Sequence, residues 1–364
     1  ITGVQALARL PMVQRQRDVI SGLNTAGFIS GYRGSPVGGY DQQLWNARKF
    51  LENNHIKFQP GLNEDLAASA IWGSQQTNLF EGGRYDGVFG IWYGKGPGVD
   101  RCGDVFKHGN MSGPSKHGGV LLIAGDDHAA KSSTVPHQSE FAFMDASIPV
   151  LNPAGVQEIL DYGVLGFAMS RFSGCWVAFK TTAENMDSSA SIDVAPDRVN
   201  IEIPDFDIPD GGLHIRWPDD WIEQEHRLHN YKLKAVRAFA RANSIDKIVM
   251  DSSKAKLGIV TTGKSYLDVR QALEDLGITE EKAATIGIRL YKIGMPWPLE
   301  PAGVHEFAEG LEEILVVEEK RPLIENQLKE ELYNYPLNKR PRIVGKVDEK
   351  QQPLQSAAGV LTAT

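Results

Sequence analysis

Residues 87–98 read Gly-Val-Phe-Gly-Ile-Trp-Tyr-Gly-Lys-Gly-Pro-Gly, and residues 119–128 read Gly-Val-Leu-Leu-Ile-Ala-Gly-Asp-Asp-His. Each stretch is a short apolar run between glycines that passes into a polar loop. That pattern is typical of a strand buried on both faces of a mostly parallel sheet. In open α/β sheets ligands bind beyond the carboxyl ends of the strands. The loops at 94–98 and 125–128 are therefore the first places where we expect a site.

The chain before these strands also alternates helices with a strand. Apolar residues recur at helical spacing over residues 5–26, and a short strand at 28–30 runs into the loop Gly31-Tyr32-Arg33-Gly34-Ser35-Pro36. Further on, Asn63 is a good helix cap, and Glu64 follows it in the first turn, where the helix dipole favours acidic residues. This alternation of helices, strands and glycine-containing loops indicates an α/β domain.

The length and a change of composition predict two domains of the same class. At 364 residues the chain exceeds the roughly 250–300 residues that one hydrophobic core usually supports. An irregular stretch rich in Asp, Pro and Gly separates two regions of alternating strands and helices. We expect two parallel-sheet α/β domains joined by an irregular linker. The expected divisions are residues 1–190 for the first domain, 191–250 for a linker and helical connection, 251–345 for the second domain and 346–364 for a tail.

Charge and cysteine content limit the classes of function. The chain has 38 Lys and Arg against 46 Asp and Glu, with a formal charge of -8, and it shows no basic stripe that would suit nucleic acid. Its two cysteines, Cys102 and Cys175, are too few for an iron–sulfur cluster or a structural zinc, and so few thiols suit a reducing cytosol.

Two expectations concern the location and completeness of the protein. No apolar run reaches the ~18 residues of a membrane span, and no signal segment opens the sequence, so we expect a cytoplasmic protein without a membrane partner. The chain starts at Ile1 in a stretch that already resembles a helix. We therefore expect it to be a piece of a longer protein.

Glu64 is the residue whose setting points most directly to a cofactor. A thiamine cofactor needs one carboxylate in a fixed, poorly solvated place, where it hydrogen-bonds the aminopyrimidine ring nitrogen and promotes the tautomer that takes the thiazolium proton. The alternative is an exposed first-turn Glu that interacts only with the helix dipole. Position along the chain, taken alone, favours this alternative.

Several segments resemble one enzyme family. In the first domain they are residues 24–36, 63–64, 92–101 and 118–128, and in the second domain residues 263–266 and 294–299. On these segments the whole chain resembles the N-terminal region of the fused bacterial indolepyruvate ferredoxin oxidoreductases, which depend on thiamine diphosphate. The resemblance implies a thiamine-diphosphate pyrimidine-binding domain followed by a transketolase C-terminal-like domain.

The resemblance also implies roles for particular residues. By this likeness Glu64 is the carboxylate that activates the cofactor, and the loop at 31–36 lines the pyrimidine pocket. The implied cofactor-binding residues are Tyr32, Arg33, Gly34, Ser35, Pro36, Asn63, Lys95 and Gly96. The loop that contains Lys95 and Arg101 combines small residues with two cations, which suits an anionic substrate or a CoA phosphate, although a solvated turn has the same composition.

The activity that the resemblance implies belongs to a larger enzyme. The complete enzyme oxidatively decarboxylates indolepyruvate or a related aryl or branched 2-oxoacid, reduces ferredoxin through [4Fe-4S] clusters and releases an acyl-CoA. We expect Mg²⁺ and the clusters to be bound by other domains or subunits, no metal ligand in this chain, and assembly as a dimer. The alternatives are another thiamine-dependent decarboxylase or transferase, and a non-catalytic α/β module that binds acyl-CoA.

Some polar residues near strand ends have competing interpretations. Arg33 could meet a substrate carboxylate bidentately or form a structural ion pair. His128 and Lys131 follow a strand end and rank above the other histidines and lysines as candidates. The spacing of Asp126 and Asn152 resembles a thiamine-diphosphate Mg²⁺ motif, but Asp127 and the Pro after Asn152 depart from that motif, so we expect a loop on the substrate side instead.

Two motifs of the second domain favour ordinary structure. Residues 263–265 read Gly-Lys-Ser but lack the leading glycine of a phosphate-binding loop, so they predict a strand-to-helix turn. Residues 318–321 read Glu-Glu-Lys-Arg at a strand end, which predicts a solvated charge run.

Overall fold

The two apolar runs form neighbouring strands at the centre of a six-stranded sheet in the computed structural model, which describes residues 1–363. The strands of this sheet are β1 (Ala26–Gly31), β2 (Ile56–Phe58), β3 (Val88–Lys95), β4 (Val120–Gly125), β5 (Val150–Leu151) and β6 (Val177–Thr181). They lie in the order β2-β1-β3-β4-β6-β5, and each neighbouring pair is parallel. Every residue of β4 and β6 is buried, as the glycine-bounded apolar runs predict.

The direction in which strands are added reverses between β1 and β3. From β1 the chain first forms the edge strand β2 and then crosses back to place β3 on the other side of β1. At such a switch point the loops that leave the two strands diverge and open a crevice, where open α/β sheets bind ligands. The loops that follow Gly31 and Lys95 border this crevice.

Helices cover both faces of the first sheet. They are α1 (Gly3–Ile20), α2 (Tyr40–Asn46), α3 (Arg48–Asn53), α4 (Glu64–Gln75), α5 (Gly96–Arg101), α6 (Gly103–Ser112), α7 (Glu140–Asp145), α8 (Val156–Ser173), α9 (Ala183–Met186), α10 (Trp221–Arg227) and α11 (Leu233–Ala242). Successive residues of β3 face opposite layers. The Trp92 ring packs edge-on against Phe106 of α6 at 5.0 Å, and the Tyr93 ring packs edge-on against Tyr40 of α2 at 5.1 Å.

A buried ion pair joins α1 to α8 in one of these layers. Asp18 accepts hydrogen bonds at 2.6 and 2.9 Å from the two terminal nitrogens of Arg171, and the side chains of Thr25 and Gln14 also donate to it. Since every lone pair direction of the carboxylate is used, the burial of this charge is compensated.

The chain between α9 and α10 forms no helix or strand ladder within the described residues, as its Asp, Pro and Gly content predicts. By its contacts this stretch, together with α10 and α11, belongs to a first unit that extends over Ile1–Ala242, and a second unit begins at Asn243. The assignment of residues 1–190, 191–250, 251–345 and 346–364 to particular domains stays a prediction.

The second unit contains a five-stranded sheet covered by helices. Its strands are β7 (Lys247–Met250), β8 (Leu257–Thr262), β9 (Ile288–Ile293), β10 (Glu313–Val317) and β11 (Arg342–Val344), in the order β11-β10-β8-β9-β7. Its helices are α12 (Gly263–Asp275), α13 (Glu280–Ile286), α14 (Pro301–Ala308) and α15 (Ile324–Leu332). The core between them includes Val260, Ile293, Phe307 and Leu328.

The predicted fold class, two α/β domains, is confirmed, with one correction in the second sheet. Four of its strands are parallel, but β7 pairs antiparallel with β9. An edge strand has a single neighbour to satisfy, so its direction is less constrained than that of a central strand. Among the described helices none combines the length and the apolar character that crossing a membrane requires.

Candidate functional site

Two contacts hold the backbone at Glu64. The side chain of Asn63 caps α4 by accepting a hydrogen bond of 2.9 Å from the Leu66 amide, as the sequence predicts. From β3, the indole nitrogen of Trp92 donates a hydrogen bond of 3.1 Å to the Glu64 carbonyl oxygen. The start of α4 is therefore fixed to the sheet next to the switch point.

The Glu64 carboxylate lies against a glycine and has few polar neighbours. Its side chain is 13% exposed, and a Cβ atom placed on Gly98 would come within 2.6 Å of Glu64 Cγ and 3.0 Å of Oε1. The nearest cation is Arg101, with Nη1 3.7 Å from Oε2. Among the described residues none donates a hydrogen bond to this carboxylate. A mostly buried carboxylate with unused acceptor positions has the character expected of a ligand-binding group.

The loops after β1, β3 and β4 contact one another at the same edge of the sheet. The Gly34 backbone lies against the aliphatic stem of Lys95, and Pro36 packs against Gly125 at the end of β4. The Lys95 ammonium group donates a hydrogen bond of 2.8 Å to the Ser132 carbonyl oxygen in the loop that follows β4. The predicted segments at 31–36, 94–98 and 125–128 are thus neighbours in space.

The loop from β4 to α7 carries a polar network centred on His137. The ring of His137 lies on Gly96, where a Cβ atom would overlap it at 2.0 Å, so only glycine fits there. His137 Nε2 is 2.8 Å from Asp100 Oδ2, and Nδ1 is 3.6 Å from Asp126 Oδ1. Asp126, which is buried, also accepts hydrogen bonds from the amide and hydroxyl groups of Ser139.

Opposite charges control the ionisation of this network. Burial alone would raise the pKa of Asp126, but the hydrogen bond from His137 and the charge of Lys180 outweigh it and hold that pKa well below its ordinary value. Burial would lower the pKa of His137, but Asp126 and Asp100 outweigh it and raise the pKa to about 9. The network therefore contains a carboxylate and an imidazolium near neutral pH.

Known proteins resemble this chain over different parts of its length. Residues 247–364 match the model of the indolepyruvate oxidoreductase domain family. The indolepyruvate oxidoreductase subunit IorA of Pyrococcus abyssi is 28% identical over 222 residues, which is 58% of this chain and 32% of that protein. The subunit of the same name from Methanothermobacter marburgensis is 24% identical over 309 residues, 83% of this chain and 45% of that protein. The chain thus spans less than half the length of these relatives.

Solved structures agree on the fold. A 2-oxoglutarate:ferredoxin oxidoreductase from Magnetococcus marinus, with 2-oxoglutarate, coenzyme A and succinyl-CoA bound, superposes with a TM-score of 0.63 at 14% identity. That match covers 95% of this chain and 61% of the other. A split-gene transketolase, an inactive β4 tetramer, gives a TM-score of 0.55 at 11% identity and covers 96% of this chain and 90% of the other. At these identities the likeness concerns the fold.

The chain is similar to the indolepyruvate oxidoreductases, and its residues 247–364 carry the match to their domain model. The family resemblance that the sequence segments indicated is thereby confirmed. The structure brings Glu64 to Gly98 and Gly34 to Lys95, so three segments of the resemblance, residues 24–36, 63–64 and 92–101, meet at one edge.

The residues of the loop after β1 differ in their surroundings. Tyr32, Arg33 and Ser35 are exposed, whereas Pro36 is buried at the end of β4. The charge of Arg33 acts on Asp41 of α2, and Arg33 makes no hydrogen bond or close ion pair with the described residues. The structure does not bring Arg33 into contact with Glu64, and the binding roles of these residues stay proposals.

His137 is the residue near this edge of the sheet that the sequence patterns did not predict, because they favoured His128 and Lys131. The structure places His128 in a buried position and Lys131 in an exposed one. A usable signal was the length of the polar loop between β4 and α7, because long loops inside compact domains commonly carry function. The contact was not visible in the sequence because His137 lies 41 residues after Gly96, the first residue of α5.

No group of three or more His, Cys, Asp or Glu side chains in the part of the chain that the structure describes could hold a metal ion. Asp126, the residue with metal-like spacing, instead lies 3.8 Å from the ammonium group of Lys180 and interacts with His137. Two cationic neighbours make this carboxylate a poor ligand for a divalent ion.

The predicted solvated charge run at 318–321 is wrong for three of its four residues. Glu318, Glu319 and Lys320 are 3%, 9% and 8% exposed. Glu318 accepts hydrogen bonds from the first amides of α15, and Lys320 donates to the Gly359 carbonyl oxygen. Charged residues at the end of a strand were buried because the fold supplies hydrogen-bond partners there, which composition alone does not reveal.

Proposed function

We propose that this chain is the part of a thiamine-diphosphate-dependent 2-oxoacid:ferredoxin oxidoreductase that holds the aminopyrimidine ring of the cofactor. The observation that carries this proposal is the carboxylate of Glu64, which is largely buried at a topological switch point and accepts no hydrogen bond within the described chain. A group of this kind suits the ring nitrogen of an aminopyrimidine, which donates a hydrogen bond to a carboxylate when it is protonated.

When bound, thiamine diphosphate supplies the electron sink that decarboxylation of a 2-oxoacid requires. Glu64 holds the proton at the aminopyrimidine ring nitrogen, and Arg101 provides the compensating positive charge 3.7 Å from Oε2. Gly98 brings its backbone close to Glu64 and leaves little room for water on that side. We assign the pocket lining to Tyr32, Gly34, Ser35, Pro36, Asn63, Lys95 and Gly96.

Arg33 has the properties of a group that recognises the substrate. It is exposed at the same edge, and it makes no close ion pair within the described chain. Its planar guanidinium group can donate two parallel hydrogen bonds to a carboxylate. We therefore propose that Arg33 binds the carboxylate of the 2-oxoacid.

The family resemblance supports a proposal for the activity of the whole enzyme. We propose that it converts indolepyruvate or a related aryl or branched 2-oxoacid, with CoA, to an acyl-CoA and reduces ferredoxin. Mg²⁺ and [4Fe-4S] clusters are supplied by other domains or subunits, and the enzyme assembles as a dimer. The cytoplasm is the proposed location, which is supported by the two buried free thiols of Cys102 and Cys175.

A transketolase-like transfer is the second candidate. The likeness to the split-gene transketolase extends over 90% of that protein and supports this alternative on the ground of fold. Both candidates use the Glu64 carboxylate in the same way, so they differ in their products. Electron transfer to an acceptor separates the two.

The test uses the full-length protein, indolepyruvate and a redox dye, with and without thiamine diphosphate, Mg²⁺ and CoA. We expect dye reduction that needs all three. In Glu64→Gln, which keeps the side-chain volume but removes the carboxylate, turnover should fall about a hundredfold or more. Carbon dioxide release without dye reduction would indicate a decarboxylase, and transfer to an aldehyde acceptor a transketolase-like enzyme.

Asp104→Asn is the matched control for Glu64→Gln. Asp104 is also an acidic residue in the first turn of a helix, α6, but its side chain is 87% exposed. If a first-turn acid served only the helix dipole, both substitutions would have the same small effect. Wild-type turnover in Glu64→Gln would contradict the proposed role of the site.

A further inference from the structure

His137 and Glu64 rest on two glycines of the same helical turn. The ring of His137 lies on Gly96, and the side chain of Glu64 lies on Gly98, both in α5. Asp100 of this turn is bound to His137 at 2.8 Å, and the next residue, Arg101, is the cation nearest to Glu64. Any shift of α5 would therefore move the glycine surface and the cation that border the Glu64 carboxylate.

The hydrogen-bond geometry determines the charge of His137. Ser139 Oγ lies 2.5 Å from Asp126 Oδ1, so its single proton is donated to that carboxylate. At 3.3 Å from His137 Nδ1, the same hydroxyl can only accept, and Nδ1 must carry a proton. Nε2 faces the carboxylate of Asp100, which also only accepts. Both ring nitrogens are donors, so the ring is an imidazolium.

The charged groups around the His137 ring belong to β4 and its following loop, α5, β6 and α7, the elements that pack against it. Asp126 follows β4, and Asp100 belongs to α5. Lys180 lies on β6 and is paired with Glu140 of α7, and His128 follows Asp126 in the loop after β4. The remaining carboxylate of the loop, Asp127, accepts hydrogen bonds from the amides of residues 131–133. Two carboxylates thus face the imidazolium directly.

We propose that protonated His137 is a positioning residue of the Glu64 site, which acts by tying the α5 turn to Asp126 at the end of β4. This inference rests on the proposed function, since Glu64 is the group that it positions. Because both nitrogens are occupied by Asp100 and by the Ser139–Asp126 pair, His137 does not exchange protons with a substrate. Loss of its proton removes the donor to one of the two sides and releases the turn.

The experiment compares His137→Gln and Asp100→Asn with the wild type in the full-length enzyme. His108→Gln is the control, since His108 forms a similar contact with Asp104 but lies on the surface of α6. The first readout is hydrogen exchange of residues 95–102 across pH, corrected for the intrinsic rate. The second is the pH profile of turnover together with KM for the 2-oxoacid.

In the wild type, exchange of residues 95–102 should accelerate and turnover should fall as pH rises through about 9, where His137 loses its proton. In His137→Gln the amides of residues 95–102 should exchange about tenfold faster already at neutral pH. The substitution should lower kcat more than it changes KM. Asp100→Asn removes one of the facing carboxylates and should move both transitions down by about one pH unit or more. His108→Gln should change neither.

Two results would overturn the inference. One is wild-type exchange of residues 95–102 in His137→Gln, and the other is an unchanged pH transition in Asp100→Asn. Asp100 is 61% exposed, so its substitution keeps the fold even if that of His137 does not. Failure of the proposed function is separate, because Glu64→Gln would then keep full turnover whatever the exchange data show.

Discussion

At the carboxyl edge of the first sheet, Glu64 has a carboxylate that no described residue hydrogen-bonds, whereas Glu318 at the carboxyl edge of the second sheet accepts hydrogen bonds from the amides of Leu323, Ile324 and Glu325. Both residues are acidic side chains at or near a helix start that follows a strand of a mostly parallel sheet. The first carboxylate is available to a ligand, and the second is used to cap α15.

The cations of the two edges differ in the same way. Arg33 is exposed and makes no close ion pair within the described residues. In the second unit the Lys264 ammonium group contacts Asp268 at 2.8 Å and also donates to the Leu361 carbonyl oxygen, while the Leu361 amide donates to Glu319. Motifs at strand ends thus indicate where a ligand site can form. A site forms only if the polar groups of the motif are not already bonded to other residues of the fold.

The largest expected contrast is in stability. Glu318→Ala leaves the first amides of α15 buried without an acceptor, so the free energy of unfolding of the second unit should fall by about 3 kcal/mol. Glu64→Ala removes only a first-turn interaction with the helix dipole and should cost about 0.5 kcal/mol. The stability losses of the two variants can be measured by urea unfolding, with hydrogen exchange of peptides from α15 and α4 as the local readout. Equal losses would contradict the distinction between a capping and a ligand-binding carboxylate.

A smaller contrast is expected between two glycines. An added Cβ at Gly98 would lie 2.6 Å from Glu64 Cγ, whereas at Gly103, the first residue of α6, it would meet nothing within 4 Å. Gly98→Ala should displace Glu64 and lower kcat of the full-length enzyme about tenfold or more. Gly103→Ala should leave kcat unchanged and stabilise α6 by up to about 1 kcal/mol. If the two variants are equally active, Gly98 does not position Glu64.

The last expected contrast is a pH dependence of α15. Burial raises the pKa of Glu318 from its ordinary 4.5 to about 7, although the α15 amides oppose the shift. The folded state therefore binds this proton more tightly, and the added stability is complete below pH 4.5 and is lost as pH rises through 7. Protection of α15 amides should fall by about 2–3 kcal/mol over this range.

The control for this pH dependence is Glu318→Gln, which does not titrate and should flatten the slope. The first edge provides a second comparison, because the raised pKa of His137 makes its stabilisation complete below pH 6.5 and lost only towards about 9. Protection of α5 should therefore stay constant between pH 4.5 and 6.5 while that of α15 declines. A decline of both together would indicate a global change instead.

The sequence predicted the central strands and the cap at Asn63 because these depend on local patterns. Glycine-bounded apolar runs predicted β3 and β4, and the structure buries both strands. The same patterns failed at residues 318–321, where charged side chains are buried, and at β7, which runs antiparallel. The partners of β7, Glu319 and Lys320 lie about 40 residues away along the chain, beyond the reach of a local pattern. Glu318 is capped by amides five to seven residues on, but its charge run gave no sign that this turn would be buried.

The sequence itself determined that Glu64 lies in the first turn of a helix, that glycine-containing loops follow the strands, and that the chain has two α/β regions. Periodicity and capping act over a few residues, so local patterns reveal them. Only the tertiary structure decided that Gly98 borders Glu64, that the ring of His137 lies on Gly96 and that Glu318 caps α15. The contacts of Gly98 and Gly96 join segments that meet only when parallel strands bring their carboxyl ends to one edge. The physical reason is that strand order, which sets which loops become neighbours, depends on long-range pairing and not on local residue preferences.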